Sequence, residues 1–366
     1  MQRNENYLKE CQSKNENINF IVYSQPMITE DFRRIKETLS DPKNIAIVTH
    51  RNPDGDAYGS SLALYLYLLK LGHKVTVVSP NDCPEFLKWL PGESDIVIFE
   101  EDKRSATEIL KEAEIVFTLD FNAFHRLGEP MEAVMQTLHP IYILIDHHQQ
   151  PDDYAEFVYV DPSMSSTSQM IYQFIEQLGH KELIDKDIAS CLYAGILTDT
   201  GSFRFPATTS QTHIIVADLL DKGAKNSEIY NKIHDVNTYN RLQLLGKALE
   251  NLVVLERFHT AYITLSQNEL NKYNFQRGDT EGFVNYALSV KNVIFAVIFI
   301  EDKKQKIIKM SFRSVGEFSV NDFARIYFDG GGHINAAGGK SKLSLEDTVK
   351  KFLDILPSLT NELTLP

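Results

Sequence analysis

Between residues 44 and 161, five short apolar runs alternate with longer amphipathic stretches. The runs cover residues 45–49, 74–78, 96–99, 115–119 and 141–145. They are apolar throughout rather than at every second position, which is typical of strands that helices cover on both faces. The stretches between them, such as residues 57–71 and 106–112, have the length and spacing of helices. The pattern predicts an α/β domain on a parallel sheet, where ligands bind beyond the carboxyl ends of the strands.

The pattern changes after residue 161. Helices are predicted at residues 167–178, 186–198, 210–222 and 238–252, and the last of these resembles a connector. Strands follow at 253–256, 260–266, 293–300 and 307–313, then a helix at 320–328, a glycine-rich loop and a closing helix at 345–356. This order predicts a smaller, second α/β domain, with the boundary near residues 236–252. The polar residues 1–18 are expected to be poorly anchored and to carry no chemistry.

Charge and composition exclude several classes of protein. The 366 residues carry a formal net charge of −13, so no global basic field attracts long nucleic acids, and a nucleic-acid substrate is expected to be short. The longest strongly apolar run, 293–300, is far shorter than the about 20 residues of a membrane helix, and no signal peptide is recognised. Cys11, Cys83 and Cys191 are too widely spaced for a disulfide framework or a cysteine zinc site. A cytoplasmic protein without a membrane partner is expected.

The first apolar run ends in a motif that combines an imidazole with two carboxylates. His50, Asp54 and Asp56 lie within THRNPDGDA, and such a set suits Mn²⁺, Fe²⁺, Co²⁺ or Zn²⁺. Taken alone, the motif has simpler interpretations. Either aspartate could cap the helix that starts near Ala57, and the histidine could be an ordinary core residue.

Two further apolar runs end in the same way. The fourth run leads into Asp120, and the fifth leads into Asp146, His147 and His148. Strands that end in Asp or His deliver their side chains to one rim of a parallel sheet. Asp199 is a fourth candidate because it follows an apolar helix and precedes a turn of small residues, although a plain turn aspartate is the alternative.

These motifs, in this order, resemble the four motifs of the DHH phosphoesterase superfamily. The segment GGGHINAAGG at residues 330–339 resembles the glycine-rich signature of its DHHA1 domain. Size and organisation most resemble the bifunctional oligoribonucleases and pAp phosphatases, or nano-RNases, since RecJ nucleases are usually longer and family II pyrophosphatases carry a different C-terminal domain. The resemblance implies a DHH catalytic domain over residues 19–236, a linker helix over 237–252 and a DHHA1 substrate-binding domain over 253–366.

The resemblance also implies two Mn²⁺ ions, or similar divalent ions, about 3.5–4 Å apart. His148 would face the substrate phosphate as a hydrogen-bond donor or acid. Asp146 would act from behind, accepting a ring N–H and fixing a histidine tautomer. The implied ligands are His50 and Asp54 for the first ion, Asp56 and His147 for the second, and Asp120 and Asp199 for both.

The second domain offers groups that could bind phosphate. Glycines at 330–332 would let backbone amides approach an anion, and the segment is expected to lead into a closely packed helix. Arg313 and, more weakly, Arg204 could form bidentate phosphate contacts, although surface arginines are the alternative. The run of hydroxyl residues 165–168 is expected to cap a helix rather than to contact phosphate. The expected substrate-binding residues are Arg313, Gly331, Gly332, His333, Asn335 and Arg204.

The resulting hypothesis is a metal-dependent phosphoesterase. It would remove 5′-mononucleotides from the 3′ end of very short RNA oligonucleotides and dephosphorylate pAp to AMP. The alternatives are a phosphodiesterase of linear or cyclic dinucleotides and a non-catalytic nucleotide-binding module, which the filled ligand positions disfavour. The sequence leaves open the metal, the choice of RNA or DNA, a homodimer, and the aromatic residues that stack on bases, for which Phe203 and Tyr58 are candidates.

Overall fold

The computed structural model describes residues 29–364, which form two α/β domains. The polar residues 1–18, for which the sequence predicts no chemistry, lie outside the described residues. Within the described residues, no helix combines the length and the apolar character that crossing a membrane requires. Each domain is built on a six-stranded sheet.

The first domain contains the strands that carry the sequence motifs. These strands are β1 (Asn44–Thr49), β2 (Lys74–Ser79), β3 (Val97–Ile98), β4 (Ile115–Leu119), β5 (Ile141–Asp146) and β6 (Phe157–Val160). The helices are α1 (Thr29–Thr38), α2 (Gly55–Lys70), α3 (Lys103–Glu112), α4 (Glu129–Met135), α5 (Thr167–Gln177), α6 (Lys186–Asp199), α7 (Ser210–Asp221) and α8 (Asn226–His234).

The first sheet is parallel, in the order β3-β2-β1-β4-β5-β6. Its strands are apolar throughout because both faces are buried: Ile45 and Ile47 join a cluster with α2, α5 and α6, whereas Ala46 and Val48 join one with α3 and α4. The predicted doubly covered sheet is confirmed. Because β1, β4 and β5 are neighbours, their carboxyl ends meet at one rim.

Four elements of the first domain escaped the sequence analysis. Strand β6 has four residues and pairs with β5, with Asp146 opposite Val160. Helix α4 spans seven residues and α1 begins next to the polar N-terminal segment, so neither shows a long periodic pattern. Helix α8 contributes two apolar residues, Ile229 and Ile233, to the core. Short elements of this kind depend on tertiary packing more than on their own sequence.

The second domain begins with the predicted connector. Its helices are α9 (Tyr239–Glu250), α10 (Gln267–Lys272), α11 (Phe283–Leu288), α12 (Val320–Tyr327) and α13 (Leu345–Ile355). Its strands are β7 (Val253–Leu255), β8 (Thr260–Leu265), β9 (Phe295–Asp302), β10 (Ile307–Ser314), β11 (Gly331–Gly332) and β12 (Ala336–Ser341). Leu244 and Ala248 of α9 pack into the core of this domain, so the connector is also part of it.

The second sheet has the order β11-β12-β10-β9-β8-β7, parallel between β8 and β9 and antiparallel elsewhere. Helices α12 and α13 cover one face, and α9, α10 and α11 the other. One expectation is wrong: the residues after His333 form strand β12, not a helix. The reason is their small size, because a Cβ at Gly339 would lie 2.8 Å from the Phe312 ring and 3.1 Å from Phe328.

Candidate active site

The three motif-bearing strands bring His50, Asp120 and the Asp146–His148 segment to one rim, as their order predicts. Nε2 of His50 lies 3.4 Å from Oδ2 of Asp120. Asp120 adopts a positive φ of 65°, which is uncommon for a residue with a side chain and is typical of functional turns. The sheet therefore supplies the histidines and one acid of a single cluster.

Asp54 has two functions that the sequence analysis treated as alternatives. It caps helix α2, because its Oδ1 accepts hydrogen bonds from the amides of Asp56 and Ala57, both at 3.0 Å. It also lies in the cluster, since one ligand atom each from His50, Asp54 and Asp120 lies within 4.8 Å of the others. One oxygen satisfies the helix start, and the second remains available to a cation.

The N-terminus of helix α5 holds the carboxylate of Asp56. The amides of Thr167 and Ser168 donate to its two oxygens at 2.6 and 2.8 Å, and the side chain is 1% exposed. Ser166 caps the helix by accepting from the Gln169 amide, so the capping expected for residues 165–168 is confirmed. Free amides and the helix dipole make this helix end a favourable place for a buried negative charge.

Glycines set the distance between the two helices that carry Asp56 and Asp199. A Cβ at Gly59 would lie 2.6 Å from the carbonyl oxygen of Cys191. A Cβ at Gly195 would lie 1.9 Å from Oγ of Ser168 and 2.8 Å from Oδ1 of Asp56. Helices α2 and α6 can approach this closely only without side chains at these positions. Asp199 therefore reaches the rim although no strand carries it.

The two central histidines are oriented by backbone carbonyls. Nδ1 of His50 lies 2.9 Å from the carbonyl oxygen of Arg51, and Nδ1 of His147 lies 3.2 Å from that of Met164. A proton on each Nδ1 directs Nε2 into the cluster. Nε2 of His147 lies near three acids: 3.4 Å from Asp199, 3.5 Å from Asp120 and 3.8 Å from Asp56.

Asp146 is paired with His148. Its Oδ1 lies 2.7 Å from Nδ1 of His148, and the carboxylate is fully buried. The contact fixes the ring and leaves Nε2 of His148 free to face outward. The predicted role of Asp146 behind a histidine thus has a specific partner, which is His148 rather than the proposed ligand His147.

Crowded charges shift the pKa values of the cluster. Burial, followed by the charges of Asp120 and Asp199, raises the pKa of Asp56 well above its usual range. Burial also raises the pKa of Asp199 to about 7, although His147 opposes this shift. Burial lowers the pKa of His147, but the carboxylates of Asp199, Asp120 and Asp56 outweigh it and raise that pKa well above the ordinary value. The metal-free cluster therefore retains protons that a cation would displace.

The second domain reaches the cluster through His333. Residues 333 and 336 exchange backbone hydrogen bonds, which makes His333 the start of a tight hairpin turn. Its ring stacks on that of His148, with centroids 4.3 Å apart and an interplanar angle of 27°. His147 lies 4.8 Å away, measured between ring centroids. The predicted meeting of the metal rim and the glycine-rich segment is present in the structure.

Arg313 also faces the first domain. Burial lowers the pKa of its guanidinium, whereas the nearby carboxylates of Glu281 and Asp199 act to raise it. Arg204 behaves differently: its side chain is exposed and lies over the ring of Phe205, with 5.4 Å between Cζ and the ring centroid. Within residues 29–364 it forms no hydrogen bond or ion pair with the cluster. Its predicted role in substrate binding has no geometric support here.

The expectation of free glycine amides is wrong for Gly330 and Gly332. The amide of Gly330 donates to the carbonyl oxygen of Ala324, and that of Gly332 donates to Oδ1 of Asn321 at 2.9 Å. Glycine is required there for space, because a Cβ at Gly330 would lie 2.0 Å from the carbonyl oxygen of Gly338. Gly331, with no such crowding, stays a predicted substrate contact.

Three other predicted residues have structural surroundings. The amide nitrogen of Asn335 donates to Oγ of Ser314 and the carbonyl oxygen of Gly316, at 2.9 and 3.0 Å, so it stabilises the hairpin. Tyr58 is fully buried and cannot stack on a base. Phe203 packs edge-on against Tyr193, with ring centroids 6.0 Å apart.

Comparisons with known proteins agree with this arrangement. The DHH family, N-terminal domain, matches residues 44–196, and the DHHA1 domain matches residues 256–362. The chain is 31% identical over 332 residues to the bifunctional oligoribonuclease and PAP phosphatase NrnA of Thermus thermophilus, covering 90% of this chain and 94% of that protein. The chain belongs to the DHH family.

Two further relatives of this DHH protein are informative. A crystal structure of an exopolyphosphatase-related protein from Bacteroides fragilis superposes with a TM-score of 0.88 and 37% identity, covering 93% of this chain and 99% of that chain. The cyclic-di-AMP phosphodiesterase GdpP of Bacillus subtilis is 26% identical over 332 residues, which cover 87% of this chain but 48% of that protein. The family and the two-domain fold predicted from the motifs are confirmed.

Sequence analysis missed several residues that face the site of this DHH protein. Arg126 follows Asp120 on a short 3₁₀ helix, Phe124–Leu127. Glu281 lies between the charges of Asp54 and Arg313, and burial raises its pKa to about 7. Arg277 donates to Oδ1 of Asn52 across the domain interface at 2.5 Å. None lies in an apolar run or a short motif, so only the folded chain brings them to the cluster.

Proposed function

We propose that this protein is a two-metal phosphoesterase that degrades very short RNA oligonucleotides to 5′-mononucleotides and dephosphorylates pAp to AMP. The observation that carries the proposal is the pair of ligand sets that share Asp120 beneath the stacked rings of His148 and His333. The similarity to a bifunctional oligoribonuclease and PAP phosphatase over nearly its whole length supports the same substrates.

The residues present fit two divalent cations. One set contains His50, Asp54 and Asp120, and the other contains Asp56, Asp120 and His147, with the ligand atoms of each set within 4.8 Å of one another. We assign Asp199 to both ions because it lies beside His147. Imidazole and carboxylate ligands suit Mn²⁺ and similar ions. Such ions supply positive charge for the phosphoryl oxygens and lower the pKa of the attacking water.

The chain's own groups would then orient the substrate and move a proton. Asp146 fixes His148 through Nδ1, so Nε2 of His148 can hold a proton for the leaving oxygen or donate to the phosphate. Arg313 and His333, both from the second domain, would hold the part of the substrate that is not cleaved. No protein nucleophile is required.

Chain length would be selected by the reach between the two domains. His333 touches His148 directly, so the space between the rim and the second domain is short. A net charge of −13 further disfavours long polyanions. We expect a two-nucleotide RNA to be cleaved much faster than one of about twenty nucleotides, and equal rates per end would contradict this selection.

One set of assays tests the function. Purified protein with Mn²⁺ is given pAp, a two-nucleotide RNA, a longer RNA, a cyclic dinucleotide and pyrophosphate, with Asp120→Ala as the inactive control. Rapid hydrolysis of the first two substrates is expected. Trinucleotides labelled at the 5′ or the 3′ end show the direction of cleavage, for which we predict attack from the 3′ end. Failure to hydrolyse either pAp or the dinucleotide would refute the proposal.

The second candidate is a phosphodiesterase of linear or cyclic dinucleotides. The similarity to the cyclic-di-AMP phosphodiesterase supports it, because both domains of this chain fall within the similar region. The same assays separate the two functions. Preference for the cyclic dinucleotide over pAp would establish this second function instead.

A further inference from the structure

Arg126 is fixed next to the metal rim by its backbone. It lies six residues after Asp120, and its carbonyl oxygen accepts a hydrogen bond from the amide of Arg51, the residue after His50, at 2.9 Å. The loops that follow β4 and β1 are thereby joined. This contact belongs to the main chain, so the side chain of Arg126 is not needed to maintain it.

The guanidinium of Arg126 has no protein partner. The residue is half-buried, yet within residues 29–364 its side chain forms no hydrogen bond and no ion pair. Neighbouring arginines differ, since Arg51 pairs with Glu100 at 2.5 Å and Arg277 donates to Asn52. A guanidinium has five N–H donors and no acceptor, so a half-buried one without a partner favours an anionic ligand.

The electrostatic effects of Arg126 locate its charge. Burial lowers the pKa of His333, and the positive charge of Arg126 is among the groups that lower it further. The same charge opposes the rise in the pKa of His50, which burial lowers and Asp120 and Asp54 raise. The guanidinium therefore lies close to both domains, between a proposed metal ligand and the ring that covers His148.

Arg313 lies on a different side of the cluster. Its nearby charges are Glu281 and Asp199, whereas those affected by Arg126 are His50 and His333. Arg313 already has two carboxylates beside it, and Arg126 has none within hydrogen-bonding distance. The two arginines are thus separated by the cluster and differ in how much of their charge is matched by the protein.

We propose that Arg126 binds the scissile phosphate, donating two parallel hydrogen bonds to its non-bridging oxygens. This inference rests on the proposed function, and it adds a residue from the first domain to a phosphate site otherwise built from histidines, aspartates and ions. A phosphate in contact with the rim and with His148 has its remaining oxygens directed towards Arg126. Arg313 then holds the remote end, so each substrate meets one guanidinium on each side.

Kinetics of matched variants test this assignment. In Arg126→Ala we expect kcat for both pAp and a two-nucleotide RNA to fall by about 10²–10³-fold, as for loss of a donor to developing charge, with Arg126→Lys intermediate. Added guanidinium ion should partly restore Arg126→Ala. Arg104→Ala, which removes an equal charge from a side chain that is 89% exposed, should retain wild-type activity. A kcat within twofold of wild type in Arg126→Ala would overturn the assignment.

Binding measurements separate this assignment from the function itself. Calorimetry with Mn²⁺ alone should give the same metal affinity for wild type and Arg126→Ala. Inorganic phosphate added to the Mn²⁺-loaded proteins should bind wild type at least about tenfold more tightly than the variant. If wild type hydrolyses neither substrate, the proposed function fails, but this phosphate measurement still decides the role of Arg126. Equal phosphate binding by a folded Arg126→Ala or Arg126→Gln protein would refute it.

Discussion

Two motif-rich regions of this protein use their residues in opposite ways. At the rim of the first sheet, backbone groups satisfy one atom of a side chain and leave another free, as for His147, whose Nδ1 faces a carbonyl while Nε2 faces three acids. In the glycine-rich segment of the second domain, the amides of Gly330 and Gly332 are used by the protein. There, only the side chain of His333 is presented to the site.

This difference shows that a short motif can serve chemistry or packing. Acids and histidines at strand ends carry function in their side chains, and the backbone orients them. Glycines carry none, and in this segment their value is the space they leave for Gly338 and Phe312. Substitutions in the two regions should therefore fail in different ways, the first through turnover and the second through stability.

The largest effect is expected at the residue that both ligand sets share. Asp120→Ala should reduce turnover by at least about 10³-fold, because no other side chain can replace a carboxylate that contacts both ions. Activity is measured with excess Mn²⁺ after circular dichroism confirms folding. Asp221→Ala, at an exposed aspartate that ends α7, is the matched control. Substantial turnover by folded Asp120→Ala would remove the two-metal assignment.

Next in size is a contrast between the domains. His148→Ala should lower kcat by about 10²-fold, since the ring held by Asp146 serves the reacting phosphate. Arg313→Ala should mainly raise KM, because it removes binding common to the ground state and the transition state. Steady-state kinetics on pAp and a dinucleotide separates the two. A wild-type KM for both substrates in Arg313→Ala would exclude a gripping role for the second domain.

A smaller effect is expected from pH. The pKa values of Asp56 and Asp199 are raised in the metal-free protein, the latter to about 7, so these groups hold protons below that pH. Metal ions bind the deprotonated groups, and raising the pH removes the competing protons. The Mn²⁺ affinity should therefore increase from pH 6 to 8, by up to about tenfold per unit for each proton released. Calorimetry showing equal affinity at both values would contradict this.

The smallest effect on chemistry is expected in the glycine-rich segment. Gly330→Ala should lower the free energy of unfolding by about 1–3 kcal/mol, because its Cβ would overlap the carbonyl oxygen of Gly338. Gly331→Ala is the matched control, since its nearest atoms would lie 3.5 Å from the new Cβ. Turnover per folded molecule should be nearly unchanged in Gly330→Ala. Equal thermal stability of the two variants would show that packing does not explain the glycines.

Sequence alone predicted the first domain well because its strands are long, apolar and separated by helices. Their ends also indicated His50, Asp120 and Asp146 as one rim. It could not predict that residues 336–341 form a strand, because small residues give no periodic signal. Nor could it find Arg126 or Glu281, whose positions depend on how loops and domains meet.

The hydrogen bonds from Thr167 and Ser168 to Asp56 give the site a spectroscopic signal of its own. These two backbone protons exchange with solvent deuterium only when the contact opens, so their exchange rates report how well Asp56 is held. A cation that draws the carboxylate towards Asp120 and His147 competes with the same two protons. Site-resolved exchange at residues 167 and 168 can thus follow the assembly of the centre in real time, with no substrate present.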